Sequence, residues 1–129
     1  MVKSRILIVD DDPNLSRLAS IILEQSGRYE VMIVNNALCA LPTARQFQPE
    51  VMLLDVDMPE RDGGDLAHEA SNDPSLRHIP ILFLTGLVSR EEAGTKQLEC
   101  GGARFLAKPV EPAVLLEAVA SLLPLGVAT

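Results

Sequence analysis

Five short apolar runs alternate with stretches of helical period along these 129 residues. The runs are Ile6 to Val9, Tyr29 to Val34, Val51 to Leu54, Ile79 to Leu84 and Arg104 to Ala107. Continuous apolar runs of this length suit strands buried on both faces, as in a parallel sheet. Helix-length segments between them require right-handed crossovers, because parallel neighbours cannot be joined by a tight turn. The chain is therefore read as α/β, a (βα)5 doubly wound parallel sheet with helices on both faces. An order of 2-1-3-4-5 sets the first and third strands side by side, with the fourth next to the third. One domain over 1–129 is expected, with its core at about 4–123 and a short C-terminal tail.

Local signals set the boundaries. Pro13 suits the first helical position with Asp12 as the cap before it, and Gly27 can end that helix. Asn35-Asn36 opens a second helix to about Phe47, with Pro42 inside it to kink or delay it. Leu66, Ala67 and Ala70 mark a short third helix. Ser89 with Glu92 three residues on reads as a capping box for a fourth, anchored by Ala93 and Leu98. So few apolar anchors imply low local stability there. Pro112 starts a last helix running to about Leu123. Its apolar arc spans about 200°, twice what one core-facing stripe needs. That arc fits a closely covered helix or a face shared with a partner or second copy.

Composition excludes several functions. A formal net charge of -7 argues against direct binding of nucleic acid or an anionic membrane surface. Aromatic residues are only 3% with no Trp, so base-stacking platforms are not expected. Cys39 and Cys100 lack metal-type spacing, fall in helical segments and read as free thiols of a reducing compartment. Four apolar residues ahead of Asp10-Asp11-Asp12 are too few for a signal-peptide core, so a cytoplasmic location is expected.

In the proposed topology Asp10, Asp11, Asp55 and Thr85 emerge at the carboxyl edge of the sheet, and the fifth strand adds Lys108. Asp is also a common turn residue, so capping alone would account for Asp55. Three carboxylates in one cleft repel: two unit charges ~4 Å apart cost about 4 kcal/mol at an effective dielectric of 20. Protonation or a bound cation relieves this, and hard oxygen donors suit Mg²⁺ rather than zinc or copper. With a hydroxyl from Thr85 and an ammonium from Lys108 beside it, such a cleft is arranged to hold a phosphoryl group, with Asp55 as in-line acceptor.

Ile6-Leu-Ile-Val-Asp-Asp-Asp12, Asp55-x-x-Met58-Pro59-x-x-Asp62-Gly63, Thr85 and Lys108-Pro109 resemble the receiver domain of bacterial two-component response regulators. The resemblance covers essentially the whole chain, with steps of 45, 30 and 23 residues between Asp10, Asp55, Thr85 and Lys108. It implies a flavodoxin-like fold, Asp55 as phosphoacceptor, Asp11 as a direct Mg²⁺ ligand, and Asp10 acting more through water. It further implies a metal contact from the backbone carbonyl of Asp57, Thr85 as switch hydroxyl, Phe105 as switch aromatic, Lys108 as phosphate partner and a cis Lys108-Pro109 peptide. The implied donor is a sensor histidine kinase or histidine phosphotransfer protein. The implied output is through the face of the fourth helix, fifth strand and fifth helix, to a partner or in a homodimer. The role is signalling in a two-component phosphorelay, with self-phosphorylation and autodephosphorylation as the only chemistry. With no output domain after the last helix, the chain reads as a stand-alone regulator or a receiver cut from a longer protein.

Phe105 stands where Tyr is common, Gly86 where Ala is usual, and Val110 where Phe is frequent. Asp57 and Leu87 occupy positions that tune phosphate lifetime in that family. Asp12 reads as a helix cap, Asp62 as a turn residue, and His68 and His78 as solvated side chains. A Mg²⁺-dependent phosphohydrolase of haloacid dehalogenase type would use Asp55-Val-Asp57, but Pro59 stands where it wants Thr or Val. A flavodoxin-like cofactor binder would meet repulsion from Asp10-Asp11-Asp12. A phosphate-independent pseudo-receiver is the remaining alternative, although the expected site residues are present.

Overall fold

The computed structural model describes residues 3–56, 58, 63–85, 98–100, 103–107 and 111–123. Among the described residues, six strands and four α-helices follow in chain order: β1 (Ser4–Val9), α1 (Pro13–Gln25), β2 (Tyr29–Val34), α2 (Ala40–Phe47), β3 (Val51–Asp55) and α3 (Gly63–Ser71) come first. They are followed by β4 (Ile81–Thr85), β5 (Leu98–Cys100), β6 (Ala103–Ala107) and α4 (Pro112–Leu122). The sheet order is β2-β1-β3-β4-β6-β5. Its first five members are parallel, which is the expected 2-1-3-4-5 arrangement once β6 takes fifth place.

The sixth strand is a correction. Leu98 and Cys100, expected on a helix, lie in β5, which pairs antiparallel with β6 from Leu98↔Phe105 to Cys100↔Ala103. Only Gly101-Gly102 separates the paired Cys100 and Ala103, the composition that a two-residue hairpin connection favours. The expected capping box at Ser89 and Glu92 lies outside the described residues, as do Ala93, Gly86 and Leu87.

Period-two alternation along the strands divides the core between the two faces. Leu7, Val9, Met52, Leu54 and Phe83 meet Ala40, Leu41 and Ala44 of α2 and Leu66 and Ala70 of α3. Ile6, Ile8, Val51, Leu53, Leu82 and Leu84 meet Ala19 and Leu23 of α1 and Leu115, Ala118 and Val119 of α4. Each fully buried Leu or Ile contributes about 1.5–3 kcal/mol. The two flanking strands and two packed layers hold the ends of β1 and β3 in place.

Asp12 caps α1, its carboxylate accepting from the Asn14 N–H at 2.9 Å and the Leu15 N–H at 3.4 Å. Gly27 follows that helix with φ +77°, the left-handed conformation glycine adopts without strain. Pro42 delays α2 as expected. A single 3-10 turn, Ala37–Cys39, comes first, capped by Asn36, whose side chain accepts from the Leu38 N–H at 2.9 Å. The wide arc of α4 is covered as far as the described residues show. Leu115, Ala118 and Val119 are buried, and Val114, Leu116 and Leu122 pack half-buried against the same cluster.

Candidate functional site

Three central strands deliver polar side chains to one edge. Asp10 follows β1, while Asp55 closes β3 and Thr85 closes β4. All three side chains are buried, at 1%, 3% and 3% exposure, whereas Asp11 is exposed. Register explains the convergence. Val9 lies opposite Leu54, and Asp55 opposite Leu84, so the three strands end within one residue of each other. The carboxyl edge is where open parallel sheets of this kind bind ligands.

One carboxylate oxygen from each of Asp10, Asp11 and Asp55 lies within 4.8 Å of the others. An octahedral Mg²⁺ with ligands at about 2.1 Å holds opposite oxygens about 4.2 Å apart. At most one pair of three can be opposite, and neighbouring oxygens on the ion stand about 3.0 Å apart, so the spread of up to 4.8 Å has to contract for the three acids to share one cation. Their hard oxygen donors fit that ion's chemistry, so Asp10, Asp11 and Asp55 could bind a metal.

The loops are built to hold this shape. The Asp12 N–H donates to Asp10 Oδ1 at 2.9 Å, a tight local turn that leaves Asp11 at its apex, and Asp10 Oδ2 is buried. The Asp10 N–H donates to the Val34 carbonyl at 3.1 Å, tying the same turn to β2. On the other side of the cleft, the Val56 N–H donates to Leu84 O and the Gly63 N–H to Val56 O, both at 3.0 Å. Gly63 opens α3 against the backbone of Asp55 itself. A Cβ there would lie 2.6 Å from the Asp55 carbonyl oxygen, so only glycine permits this approach.

Thr85 and Phe83 are two residues apart on β4 and project from the same sheet face. Phe105 sits opposite Phe83 on β6, and the two rings stack with centroids 5.0 Å apart and planes at 23°. Phe105 is half-buried. Hydroxyl and rings thus share one surface of the sheet. Lys108 and Asp57 lie outside the described residues, as do Pro59, Asp62, Pro109 and Val110. His68 and His78 are exposed, as expected of solvated side chains; His68 Nε2 lies 3.4 Å from Asn72 Nδ2.

Sequence reasoning missed two contributors. Asn35, expected to open a helix, instead reaches back to Asp10 and Ser16. Gly63 was legible as part of a turn motif, yet its contact with the Asp55 carbonyl was not. Both contacts depend on tertiary placement.

The model of the response regulator receiver domain matches residues 6–120. The chain belongs to the response regulator receiver family. Among relatives of this receiver, the response regulator PleD of Caulobacter vibrioides is 36% identical over 94% of the chain, which spans about a quarter (26%) of PleD's length. The polar-differentiation response regulator DivK of Brucella anthropi is 30% identical over 95% of the chain and 98% of its own length. The chemotaxis protein CheY4 of Vibrio cholerae superposes with a TM-score of 0.80 at 27% identity, covering 95% of this receiver and all of that structure. Among the described residues, no helix is long and apolar enough to cross a membrane.

Proposed function

We propose that this receiver takes a phosphoryl group on Asp55 in a Mg²⁺-dependent step, the donor being a phosphohistidine of a sensor histidine kinase or histidine phosphotransfer protein. The observation that carries the reading is the meeting of three carboxylate oxygens within 4.8 Å at the end of β3, with Thr85 on the adjoining strand. In the transfer, an Asp55 carboxylate oxygen attacks phosphorus in line. The O–P bond forms as the P–N bond to the donor imidazole breaks, and the imidazole keeps the electron pair and takes up a proton. Bound Mg²⁺ supplies charge neutralisation of the phosphoryl oxygens.

Asp10 and Asp11 hold that cation, with the carbonyl of Asp57 as a further ligand. Lys108 balances the remaining phosphoryl charge, and the Thr85 hydroxyl donates to a phosphoryl oxygen. Thr85 drawn toward Asp55 vacates space on the face it shares with Phe83, and Phe105 moves into it. The change is read on the face of β6 and α4 by a partner or second copy. Residues 4–123 act as one signalling unit in the cytoplasm, with self-phosphorylation and autodephosphorylation as its only reactions.

Incubation of the intact protein with Mg²⁺ and acetyl phosphate tests this. One added phosphoryl group is expected by intact mass, lost in Asp55→Asn and blocked by EDTA. Incorporation into Asp55→Asn at the wild-type level would remove Asp55 as acceptor.

A further inference from the structure

We propose that Asn35 is a positioning residue for the metal-binding turn, acting through a clamp on the backbone at either side of Asp11. The inference rests on the Mg²⁺-dependent reading above. The Asn35 side chain leaves the end of β2 and spends one proton of its amide on the β1–α1 connection and the other on the first turn of α1. Nδ2 donates to the Asp10 carbonyl at 2.7 Å and to Ser16 Oγ at 3.0 Å. A carbonyl oxygen can only accept, so the orientation of this amide is dictated by its partner. Ser16 is 1% exposed and passes the constraint on, its single hydroxyl proton going to Asp12 O at 3.1 Å or Pro13 O at 3.2 Å.

The result is a bracket. One amide holds the carbonyl that enters the acidic turn and, through one hydroxyl, a carbonyl that leaves it. Asp11, the exposed ligand at the apex, lies between the two fixed points. Three like charges within 4.8 Å push apart, and an exposed apex would relieve that push by swinging outward. Fastening the backbone on both sides keeps the third oxygen within reach of the cation. Asn36, the next residue, is committed to capping the turn that follows, which leaves this duty to Asn35 alone of the pair.

Partners that orient metal ligands without touching the metal typically cost ten- to a hundredfold in affinity when removed. Titration calorimetry of Mg²⁺ into the full chain should therefore show affinity about tenfold weaker in Asn35→Ala, while its urea midpoint stays close to wild type. Ser16→Ala should weaken Mg²⁺ in the same direction by less. The double variant should lose no more than Asn35→Ala alone, because both act along one hydrogen-bonded path. A change below threefold in Asn35→Ala, with or without a fall in its urea midpoint, overturns the clamp. Should that variant not fold, Ser16→Ala decides: a dissociation constant equal to wild type overturns the path. Asp11→Asn separates the levels. If wild type binds Mg²⁺ and Asp11→Asn does not, the underlying reading stands whatever Asn35→Ala does. Wild type that takes up no Mg²⁺ removes both.

Discussion

Gly63 shows how little room the strand that ends at Asp55 leaves. Its absent side chain lets the first turn of α3 close on the Asp55 carbonyl, where a methyl group would stand 2.6 Å from oxygen. The obstacle is backbone held by the sheet, so it cannot step aside as a flexible side chain would. Gly63→Ala should cost about 1–3 kcal/mol, the range for overpacking a well-filled site. Urea denaturation reads the loss directly. Because the displaced atoms belong to Asp55, phosphoryl uptake from acetyl phosphate should also slow. Stability that falls with uptake unchanged would place Gly63 in folding alone.

Elements differ in how far they could be read from sequence. The parallel strands were legible because each apolar run is its own signal, and α1 because Asp12-Pro13 marks its start wherever the helix packs. The acids of the site were legible for the same reason: topology sends the residue after a buried strand to one edge. β5 was not. Three residues carry no period of their own, and the pairing comes from β6 across two glycines. Asn35 was misplaced for a related reason, since its partners lie 25 and 19 residues earlier in the chain. A surface link between elements gives a further test. Arg45 of α2 donates to Asp73, after α3, at 2.8 Å, and that bond with two from Ser75 lowers the Asp73 carboxyl to about 2. A carboxyl depressed in the fold favours folding above its unfolded value near 3.9, and the advantage fades as pH falls toward 2. The stability gap between wild type and Arg45→Ala should be level above about pH 5 and shrink between about 4 and 2. Urea midpoints across that range check it. A gap that widens toward pH 2 would contradict the pairing.

For the molecule as a whole, a ligand that binds only the folded state adds stability by mass action. Asp10, Asp11 and Asp55 come from separate segments, so the unfolded chain offers no equivalent site. At Mg²⁺ a hundredfold above its dissociation constant, the gain should be about 2.7 kcal/mol. Thermal melts with and without Mg²⁺ measure it, and Asp11→Asn should flatten most of the rise. A Mg²⁺ response retained in Asp11→Asn would move the ion elsewhere. The sheet order carries a last consequence. β1 and β3 each run between two hydrogen-bonded neighbours, and Ile6 to Val9 and Val51 to Leu54 are wholly inaccessible. On the proposed reading, negative charge arriving at Asp55 would land on a closely packed floor, and the work it does would be spent sideways, toward the outer rows of the pleat where β6 and its short antiparallel companion form the rim.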